Sequence, residues 1–245
     1  MIPFISPIMF KQLSQKIRYH FSEYLFNKYG QPRVKNERIS KIVLKNYLRA
    51  HPVIIDCGAH DGSDSVTLAD LFKGASIYCF EPVDELFTRL IKNTNGYNNI
   101  FCYPIALANQ DGTMDFYISE GGSDGSSSLL EPQEHLKDHP DTFFKRKINV
   151  LTRTLDSWAQ ENKIEKVDML WLDMQGFEMN MLMASKIILN TVSVIHTEVS
   201  TRETYKGVPL YSELRSFLEA KGFSVEIEAL PAGWDMGNVL FVRDK

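Results

Sequence analysis

The stretch VIIDCGAHDG, residues 53–62, decides the fold of this chain. In it three β-branched apolar residues run into an acid, Asp56, which is followed by Gly58 and Gly62. An apolar run that ends in glycines is the pattern of a buried strand turning into a helix. Glycine in such a turn lets the backbone approach a ligand closely and places amide donors at the helix start. The stretch therefore predicts a strand, a turn and a helix, with a ligand site at the turn.

The same alternation of β-branched runs and helical patterns continues to the end of the chain. Strands are predicted at residues 53–56, 76–81, 100–104, 167–173, 192–198, 223–228 and 239–242. Helices are predicted at residues 65–72, 84–93, 155–161, 178–189 and 210–221. Because right-handed crossovers join such units, we expect an α/β fold with a Rossmann-like, doubly wound and mostly parallel sheet. The last two strands are close enough in sequence to pair, which adds an antiparallel C-terminal strand.

The first fifty residues differ from the rest, and we assign residues 1–50 to an N-terminal helical cap and residues 51–245 to the main domain. Apolar positions at helical spacing predict two helices that are broken around residues 30–32. The apolar run at residues 1–10 is too short for a spanning helix, which needs about 20 residues. We therefore expect a cytoplasmic protein, and peripheral membrane contact by this basic arm is the less favoured alternative.

The composition is that of an ordinary globular protein with nearly balanced charge. Lys and Arg number 27 against 31 Asp and Glu, so the formal net charge is −4. A chain that grips phosphates usually carries a large basic excess, so no nucleic-acid partner is expected. The three cysteines, Cys57, Cys79 and Cys102, lie in or beside apolar runs and lack zinc spacing, which predicts buried thiols in a reducing compartment.

Two segments break the regular alternation and are predicted to lie at the ligand edge of the sheet. A strand at residues 114–118 precedes a polar stretch at 120–128, which we interpret as a mobile loop over the carboxyl edge. The segment at residues 201–210 is predicted to lie at the same entrance. Its two basic residues, Arg202 and Lys206, either contact an anionic acceptor or are solvated surface charge.

The spacing of residues after the first strand indicates the kind of ligand. A dinucleotide fingerprint has the form G-x-G-x-x-G, whereas Asp56 stands where its first glycine would be. The Asp56 carboxylate would repel a pyrophosphate and would suit a ligand with an amino group and a sulfonium. Glu81, at the end of the second strand, follows at roughly the spacing at which an acid binds ribose hydroxyls. The small and apolar residues 103–107 suit packing against an adenine, although core packing explains them equally well.

These motifs resemble those of class I S-adenosylmethionine-dependent methyltransferases, specifically of the FkbM family. The matching stretches, within residues 52–200, are VIIDCGAHDG, CFEP, YPIALANQDGTMDFY, RTLDSW, MLWLDMQGFEMNML and VIHTEV. The resemblance implies a seven-stranded Rossmann-like sheet, S-adenosyl-L-methionine as methyl donor, and transfer usually to an oxygen of a sugar or secondary metabolite. The residues expected to hold the donor are Asp56, Gly58, Ala59, Gly62, Glu81, Pro82, Ala106 and Asp173.

The fourth-strand motif departs from the family pattern at Gln175, where similar proteins usually carry glutamate. If that glutamate is the catalytic base in relatives, this chain uses another residue or has changed its acceptor. Asp173 leaves the same strand at its carboxyl end. An acid there can hold the amino group of the donor, orient an acceptor hydroxyl or bind a divalent metal.

His196 and Glu198 end the fifth strand on one face, because side chains alternate along a strand with period two. With Asp173 they would form either a metal site or a metal-free acid-base group, and we predict the group without metal. His196 is then the general base, and Glu198 is its orienting partner or the base itself. The structural alternative is a buried, hydrogen-bonded histidine. Glu178 either complements the dipole of the following helix or takes part in catalysis.

The sequence therefore predicts an S-adenosylmethionine-dependent O-methyltransferase that acts by in-line displacement on a hydroxyl of a small molecule or glycan. N- or C-methylation of a small metabolite is the alternative within the same class. Asp56 disfavours a nicotinamide-dependent oxidoreductase, and a non-catalytic nucleoside-binding module is the remaining alternative.

Overall fold

The computed structural model describes residues 34–35, 38–133, 141–231 and 233–244. The first predicted helix and the apolar run at residues 1–10 lie outside the described residues. None of the described helices is long and apolar enough to cross a membrane. The division into an N-terminal cap and a main domain stays a prediction.

The described residues contain twelve strands and five α-helices, numbered here in chain order. The strands are β1 (Val34–Lys35), β2 (Arg38–Ile39), β3 (Val53–Cys57), β4 (Ser76–Phe80), β5 (Ile100–Tyr103), β6 (Ala106–Leu107), β7 (Gly112–Gly121), β8 (Thr142–Arg153), β9 (Met169–Leu172), β10 (Val194–Ser200), β11 (Phe223–Ala229) and β12 (Met236–Arg243). The α-helices are α1 (Ser63–Leu71), α2 (Asp84–Thr94), α3 (Leu155–Glu161), α4 (Glu178–Ala184) and α5 (Tyr211–Ala220). Two 3-10 helices span Lys41–Asn46 and Ile188–Thr191.

Seven strands form the main sheet, in the order β11-β12-β10-β9-β3-β4-β5. Strands β3, β4, β5, β9 and β10 pair in parallel, and β12 runs antiparallel to both of its neighbours. The prediction of a doubly wound, mostly parallel sheet with an antiparallel C-terminal strand is therefore confirmed. After β3, the chain adds β4 and β5 to the sheet on one side of β3, and then adds β9, β10, β12 and β11 on the other side. This change of direction opens a crevice at the carboxyl ends of β3 and β9.

The main sheet lies between two layers of apolar side chains. Its central strands are apolar on both faces, and Ile54, Ile55, Met169 and Leu170 are fully buried. One face packs against α1 and the 3-10 helix at Lys41–Asn46, and the other packs against α3, α4 and α5. Burial of apolar surface stabilises such a sheet by about 25 cal/mol per Å². The polar residues that follow these strands are thereby held at the edge of a rigid sheet.

A second sheet of three strands, in the order β6-β8-β7, occupies the insertion between β5 and β9. The sequence predicts only residues 114–118 of it, whereas β7 extends over Gly112–Gly121 and pairs antiparallel with β8. The centre of β8 is mostly exposed and carries Lys145, Arg146 and Lys147, so its sequence lacks the apolar signal of a buried strand. The predicted polar loop is present but begins after Gly121. Its mobility stays a prediction.

The helix predicted at residues 178–189 is wrong in length, because α4 ends at Ala184. The carboxylate of Asp156, in α3, accepts hydrogen bonds from the amides of Ile187 at 2.9 Å and Ile188 at 2.8 Å. Because these two amides donate to the Asp156 side chain, they cannot form the backbone hydrogen bonds that would extend α4. A short 3-10 helix follows instead.

The second of the two helices predicted in the first fifty residues, after the break at residues 30–32, is also wrong in type. The chain there forms β2 and then the 3-10 helix at Lys41–Asn46. Three consecutive residues of this 3-10 helix, Ile42, Val43 and Leu44, are buried. An amphipathic α-helix on the surface buries one face only, so three consecutive buried positions favour a tight turn pressed into the sheet.

The three cysteines are free thiols, as predicted. Cys57 and Cys79 are buried, and Cys102 is half-buried. Burial raises the pKa of the Cys57 thiol well above its usual value, so this thiol stays protonated and inert at neutral pH.

Asp168 connects the segment before β3 to the start of β9. Its side chain is only 4% exposed, and its Oδ2 accepts hydrogen bonds from Arg49 Nε at 2.9 Å and from the Val53 amide at 2.8 Å. We expect Asp168→Ala to lower the free energy of unfolding by about 1 to 3 kcal/mol, because the Val53 amide and the half-exposed Arg49 guanidinium lose their acceptor. Unfolding by urea, followed by circular dichroism, measures this loss.

Asp115→Ala is the matched control, since Asp115 makes an exposed ion pair with Lys147 at 2.9 Å. This variant should leave the stability nearly unchanged. Equal losses in the two variants would contradict the role of Asp168.

Candidate active site

A cleft with a volume of about 960 Å³ opens at the carboxyl ends of β3, β4, β9 and β10. The turn after β3, the loop of the β7-β8 hairpin and residues 38–42 form its walls. All of the predicted site residues except Gly62 line it, namely Asp56, Gly58, Ala59, Glu81, Pro82, Ala106, Asp173, His196 and Glu198. The fold thus brings together residues that lie far apart in the sequence.

The turn after β3 is pressed against the end of β9. Gly58 has a φ of +80°, and a β-carbon on it would lie 1.9 Å from the carbonyl oxygen of Asp173. The amides of Gly58 and Ala59 donate to the carbonyl oxygen of Phe80 at 3.1 and 2.9 Å. Glycine is therefore required at position 58 by a contact between two backbones, and these amides bind β4 rather than a ligand.

Gly62 lies outside the cleft and serves the packing of helices. Its φ is +80°, and a β-carbon on it would lie 2.7 Å from Cδ1 of Leu90 in α2. The sequence predicts Gly62 as a cofactor contact, whereas the structure explains this glycine by the close approach of α1 and α2.

Glu81 follows β4 and is only 4% exposed. Its Oε2 accepts from the His60 amide at 3.0 Å, and its Oε1 accepts from the Val83 amide at 2.9 Å. Burial raises the pKa of Glu81 to about 7, although the two amide donors oppose the shift. The carboxyl group lines the cleft and also holds the turn after β3.

Asp56 is 1% exposed and lies beneath the same turn. Its carboxylate accepts a hydrogen bond from the hydroxyl of Ser65 in α1, which also lies 2.9 Å from Sγ of Cys79. Desolvation by burial raises the pKa of Asp56 to about 7. This carboxyl group therefore anchors α1 to β3 at the floor of the cleft.

Asp173 and Glu198 meet at the edge of the cleft through Gln175. Nε2 of Gln175 donates to Oδ1 of Asp173 at 2.7 Å and to Oε2 of Glu198 at 2.8 Å. Burial raises the pKa of Asp173 above its usual value, and burial together with the negative charge of Asp173 raises that of Glu198 well above its own. The sequence marks Gln175 as a departure from the family pattern but does not show that it joins the two acids.

His196 is 5% exposed and stacks on Trp171, with ring centroids 3.6 Å apart and ring planes at 2°. Its Nδ1 makes no hydrogen bond to any residue that the structure describes. Desolvation, together with the positive charge of Lys41, lowers the pKa of His196 to about 3. So low a pKa makes the imidazole a weak base, which disfavours His196 and favours Glu198 as the general base.

Glu178 begins α4, and its side chain is turned toward the backbone. Its Oε1 accepts from the Met174 amide at 2.8 Å, and it does not line the cleft. Burial raises its pKa to about 7. Of the two roles open from the sequence, the geometry supports the structural one.

The loop of the β7-β8 hairpin closes over the turn after β3 through Asp124. Oδ1 of Asp124 lies 3.0 Å from Nε2 of His60, and its other oxygen accepts from the guanidinium of Arg89 in α2. Sequence reasoning missed these three residues. The polar loop at residues 120–128 was the only sign in the sequence that this segment lies at the site. A local pattern cannot show that Asp124 contacts His60 and Arg89, because these residues are 64 and 35 positions away from it.

The basic residues predicted at the entrance are engaged elsewhere. Arg202 pairs with Asp235 at 2.8 Å, Lys206 pairs with Glu131 at 3.2 Å, and neither lines the cleft. Among the described residues, no group of three or more His, Cys, Asp and Glu side chains is arranged to hold a metal ion. A reaction without metal stays a prediction.

The low pKa of His196 leads to a testable dependence of stability on pH. Between about pH 6.5 and pH 3 the unfolded chain binds a proton at this histidine that the folded chain does not. His196 therefore contributes a loss of stability as pH falls through this range, of up to about 1.4 kcal/mol per pH unit. His196→Phe keeps an aromatic ring on Trp171 and removes the titration, so its stability should fall less steeply below pH 6.5. Urea unfolding at several pH values measures how the stability of the wild type and of the variant depends on pH. If the two proteins lose stability equally below pH 6.5, His196 does not have the lowered pKa.

The sequence matches the model of one protein family, described as the methyltransferase FkbM domain, over residues 56–225. A 2-O-methyltransferase, NoeI, of Sinorhizobium fredii (strain NBRC 101917 / NGR234) is 32% identical over 199 residues, which cover 79% of this chain and 80% of the relative.

Solved structures of two other proteins superpose on this chain. The methyltransferase FkbM from Methylobacillus flagellatus KT superposes with a TM-score of 0.49 at 13% identity, covering 80% of this chain and 44% of that chain. The fibrillarin pre-rRNA processing protein of Methanococcus jannaschii superposes with a TM-score of 0.50 at 14% identity, covering 84% of this chain and 70% of that one. At such identity the second likeness shows the fold alone. From the family match and the NoeI relative, the chain belongs to the FkbM methyltransferase family, which confirms the prediction of an O-methyltransferase.

Proposed function

We propose that this chain transfers the methyl group of S-adenosyl-L-methionine to a hydroxyl of an uncharged sugar or glycan. The observation that carries the proposal is the pair of acids, Asp173 and Glu198, that Gln175 joins at the edge of the cleft. This edge adjoins the turn after β3, because Gly58 is in contact with the backbone of Asp173. A carboxyl group that accepts a proton therefore lies next to the part of the cleft assigned to the methyl donor.

The residues of the cleft fit the methyl donor. Glu81 presents a carboxyl group where ribose hydroxyls would donate, and Pro82, Ala106 and Leu107 supply an apolar wall for an adenine. The volume of about 960 Å³ leaves room for an acceptor beside it. When bound, S-adenosylmethionine supplies a methyl group that its sulfonium has already activated.

The chain itself has to align the acceptor and receive one proton. Glu198 takes the proton of the acceptor hydroxyl as the oxygen bonds to the methyl carbon and the carbon–sulfur bond breaks. Its raised pKa suits this task, because a carboxylate of ordinary pKa is a weaker base. Asp173 orients the hydroxyl, and Asp124, in the hairpin loop, limits the access of water.

The charges along the cleft favour an uncharged acceptor. Its acidic residues are Asp56, Asp61, Asp64, Glu81, Asp124, Asp173 and Glu198, whereas its lysines and arginines are Arg38 and Lys41. Lys41 is paired with Asp64 at 2.6 Å. Burial weakens the negative charge of four of these acids by raising their pKa, but acids still outnumber cations in the cleft, so a phosphorylated acceptor, or a nucleic acid, is disfavoured. The name of the NoeI relative, a 2-O-methyltransferase, supports oxygen as the atom that is methylated.

An amine acceptor is the second candidate, because the same acidic cleft attracts a cation. A protonated amine cannot attack the methyl group until it loses a proton, so this reaction also needs the carboxylate pair. The two candidates differ in the product, which carries a methyl ether in one case and a methylamine in the other.

Transfer of a labelled methyl group from S-adenosylmethionine tests the proposal. We expect incorporation into neutral mono- and oligosaccharides from a cell glycan extract, and less into their phosphorylated counterparts. Mass spectrometry of the product then locates the methyl group. Label found only on amines would establish the second candidate, and no label on any acceptor would contradict both.

Glu81→Gln tests the assignment of the donor site. We expect the affinity for S-adenosylhomocysteine, measured by calorimetry at pH 8 where the carboxyl group is ionised, to fall by roughly ten- to hundredfold. Glu85→Gln is the control, since Glu85 is exposed on α2 and pairs only with Arg146 among the contacts described. Unchanged affinity in the folded Glu81 variant would overturn this assignment.

Glu198→Gln tests the base. An amide cannot take up the proton, so turnover should fall by about 10² to 10⁴ while the affinity for S-adenosylhomocysteine stays within roughly threefold. Glu161→Gln, an exposed change at the end of α3, should keep full turnover. If both variants turn over equally, Glu198 is not the base.

A further inference from the structure

Gln175 occupies a position that allows it to touch both acids of the cleft. Its φ is +51°, in the left-handed region, and it is 8% exposed. This backbone conformation turns the side chain between Asp173, which precedes it by two residues, and Glu198 on the neighbouring strand. A left-handed conformation is uncommon for a residue other than glycine, so the surrounding contacts must maintain it.

The amide group of Gln175 uses both of its hydrogens. One is donated to Asp173 at 2.7 Å and the other to Glu198 at 2.8 Å. Two carboxylates on either side of one nitrogen would repel each other strongly without these donors. The amide is uncharged, so it joins the two acids without neutralising either.

The opposite side of Gln175 is in contact with the loop of the β7-β8 hairpin and with the segment at residues 201–210. The hydroxyl of Tyr205, which is fully buried, can donate its one hydrogen either to Oε1 of Gln175 at 3.2 Å or to the carbonyl oxygen of Ser126 at 2.7 Å. The hydroxyl of Ser128 donates to the carbonyl oxygen of Gln175 at 2.8 Å. The Ser128 contact holds the backbone of Gln175, whereas the Tyr205 hydroxyl beside Oε1 and the two acids beside Nε2 set which end of the amide faces the acids.

We propose that Gln175 is the positioning residue that holds Asp173 and Glu198 in one arrangement, with its amide oriented by Tyr205. The inference rests on the proposed function, because it concerns the carboxylates assigned to the transfer of the methyl group. Gln175 does not touch the reacting atoms and acts through the two acids. A glutamate at this position would have the same shape, no hydrogen to donate and a third negative charge.

Other charged groups also affect the pKa values of Asp173 and Glu198, and their effect can be separated from that of Gln175. Glu178 in α4 and Tyr205 interact electrostatically with both Glu198 and Asp173. Three further groups interact with Asp173, namely Asp56 at the end of β3, His60 in the turn after it and Asp64 in α1. None of them is changed when Gln175 is replaced. The two amide hydrogens favour the ionised acids, so their removal must raise the pKa of each carboxyl group.

Carbon-13 NMR of side-chain carboxyl groups measures this effect without any acceptor. Gln175→Met keeps the length of the side chain and removes the donors, and we expect it to raise the pKa of Glu198 and Asp173 by about one unit or more. Gln175→Glu should raise them further, because it adds a charge. Gln160→Met is the matched control, since Gln160 is exposed on α3, and it should leave both titrations unchanged.

The outcomes separate this inference from the proposed function. Raised pKa values in the two Gln175 variants, with the melting temperature within a few degrees of the wild type, support the positioning role. Unchanged values for both carboxyl groups in the folded variants would overturn it. Tyr205→Phe tests the inference if the Gln175 variants fail to fold, because it keeps the two amide donors of Gln175. Loss of the Tyr205 hydroxyl should raise the pKa values of Asp173 and Glu198 by less than the Gln175 variants do. Failure of the wild type to bind S-adenosylhomocysteine would instead refute the proposed function and leave the titration result standing.

Discussion

The contact between the turn after β3 and the end of β9 is the constraint on which the rest of the site depends. Gly58 approaches the carbonyl oxygen of Asp173 so closely that a β-carbon would lie 1.9 Å from it. The Asp173 amide donates to the carbonyl oxygen of Cys57 at 3.0 Å, which continues the parallel pairing of β3 with β9. The register of two central strands thus sets the distance between the turn after β3 and Asp173, the acid that we propose orients the acceptor. Because both strands are buried on both faces, this distance is as rigid as the core.

Burial of acids at this edge has a cost that the protein offsets with hydrogen-bond donors. Desolvation raises the pKa of Asp56, Glu81 and Glu178 to about 7. For an acid whose pKa is raised on folding, stability is greatest below its unfolded pKa and declines as pH rises through the folded value. Ser65 and backbone amides donate to these acids, and Gln175 donates to Asp173 and Glu198, so the donors limit that decline. Burial likewise raises the pKa of Glu198, which suits the role of proton acceptor that we propose for it.

The choice of the proposed base differs most between the sequence and the structure. From the sequence, His196 and Glu198 are equivalent neighbours on one face of a strand. The structure places His196 against Trp171 in a desolvated position, and it connects Glu198 to Asp173 through Gln175. Solvation decides between them, since a buried imidazole with a pKa of about 3 is a poor base and a carboxylate with a raised pKa is a better one.

The sequence by itself determined the doubly wound sheet, the acids at the ends of its strands and the methyltransferase family. Strand and helix periodicity, and the glycines after β3, are local signals carried within a few residues. Tertiary structure alone decided that β8 pairs with β7, that Gly62 packs against Leu90, and that Tyr205 meets Ser126, 79 positions away. Such contacts depend on strand register and on the packing of distant segments, and no local pattern encodes them. The pKa of each acid was likewise decided by the tertiary structure, because burial is a property of the whole fold.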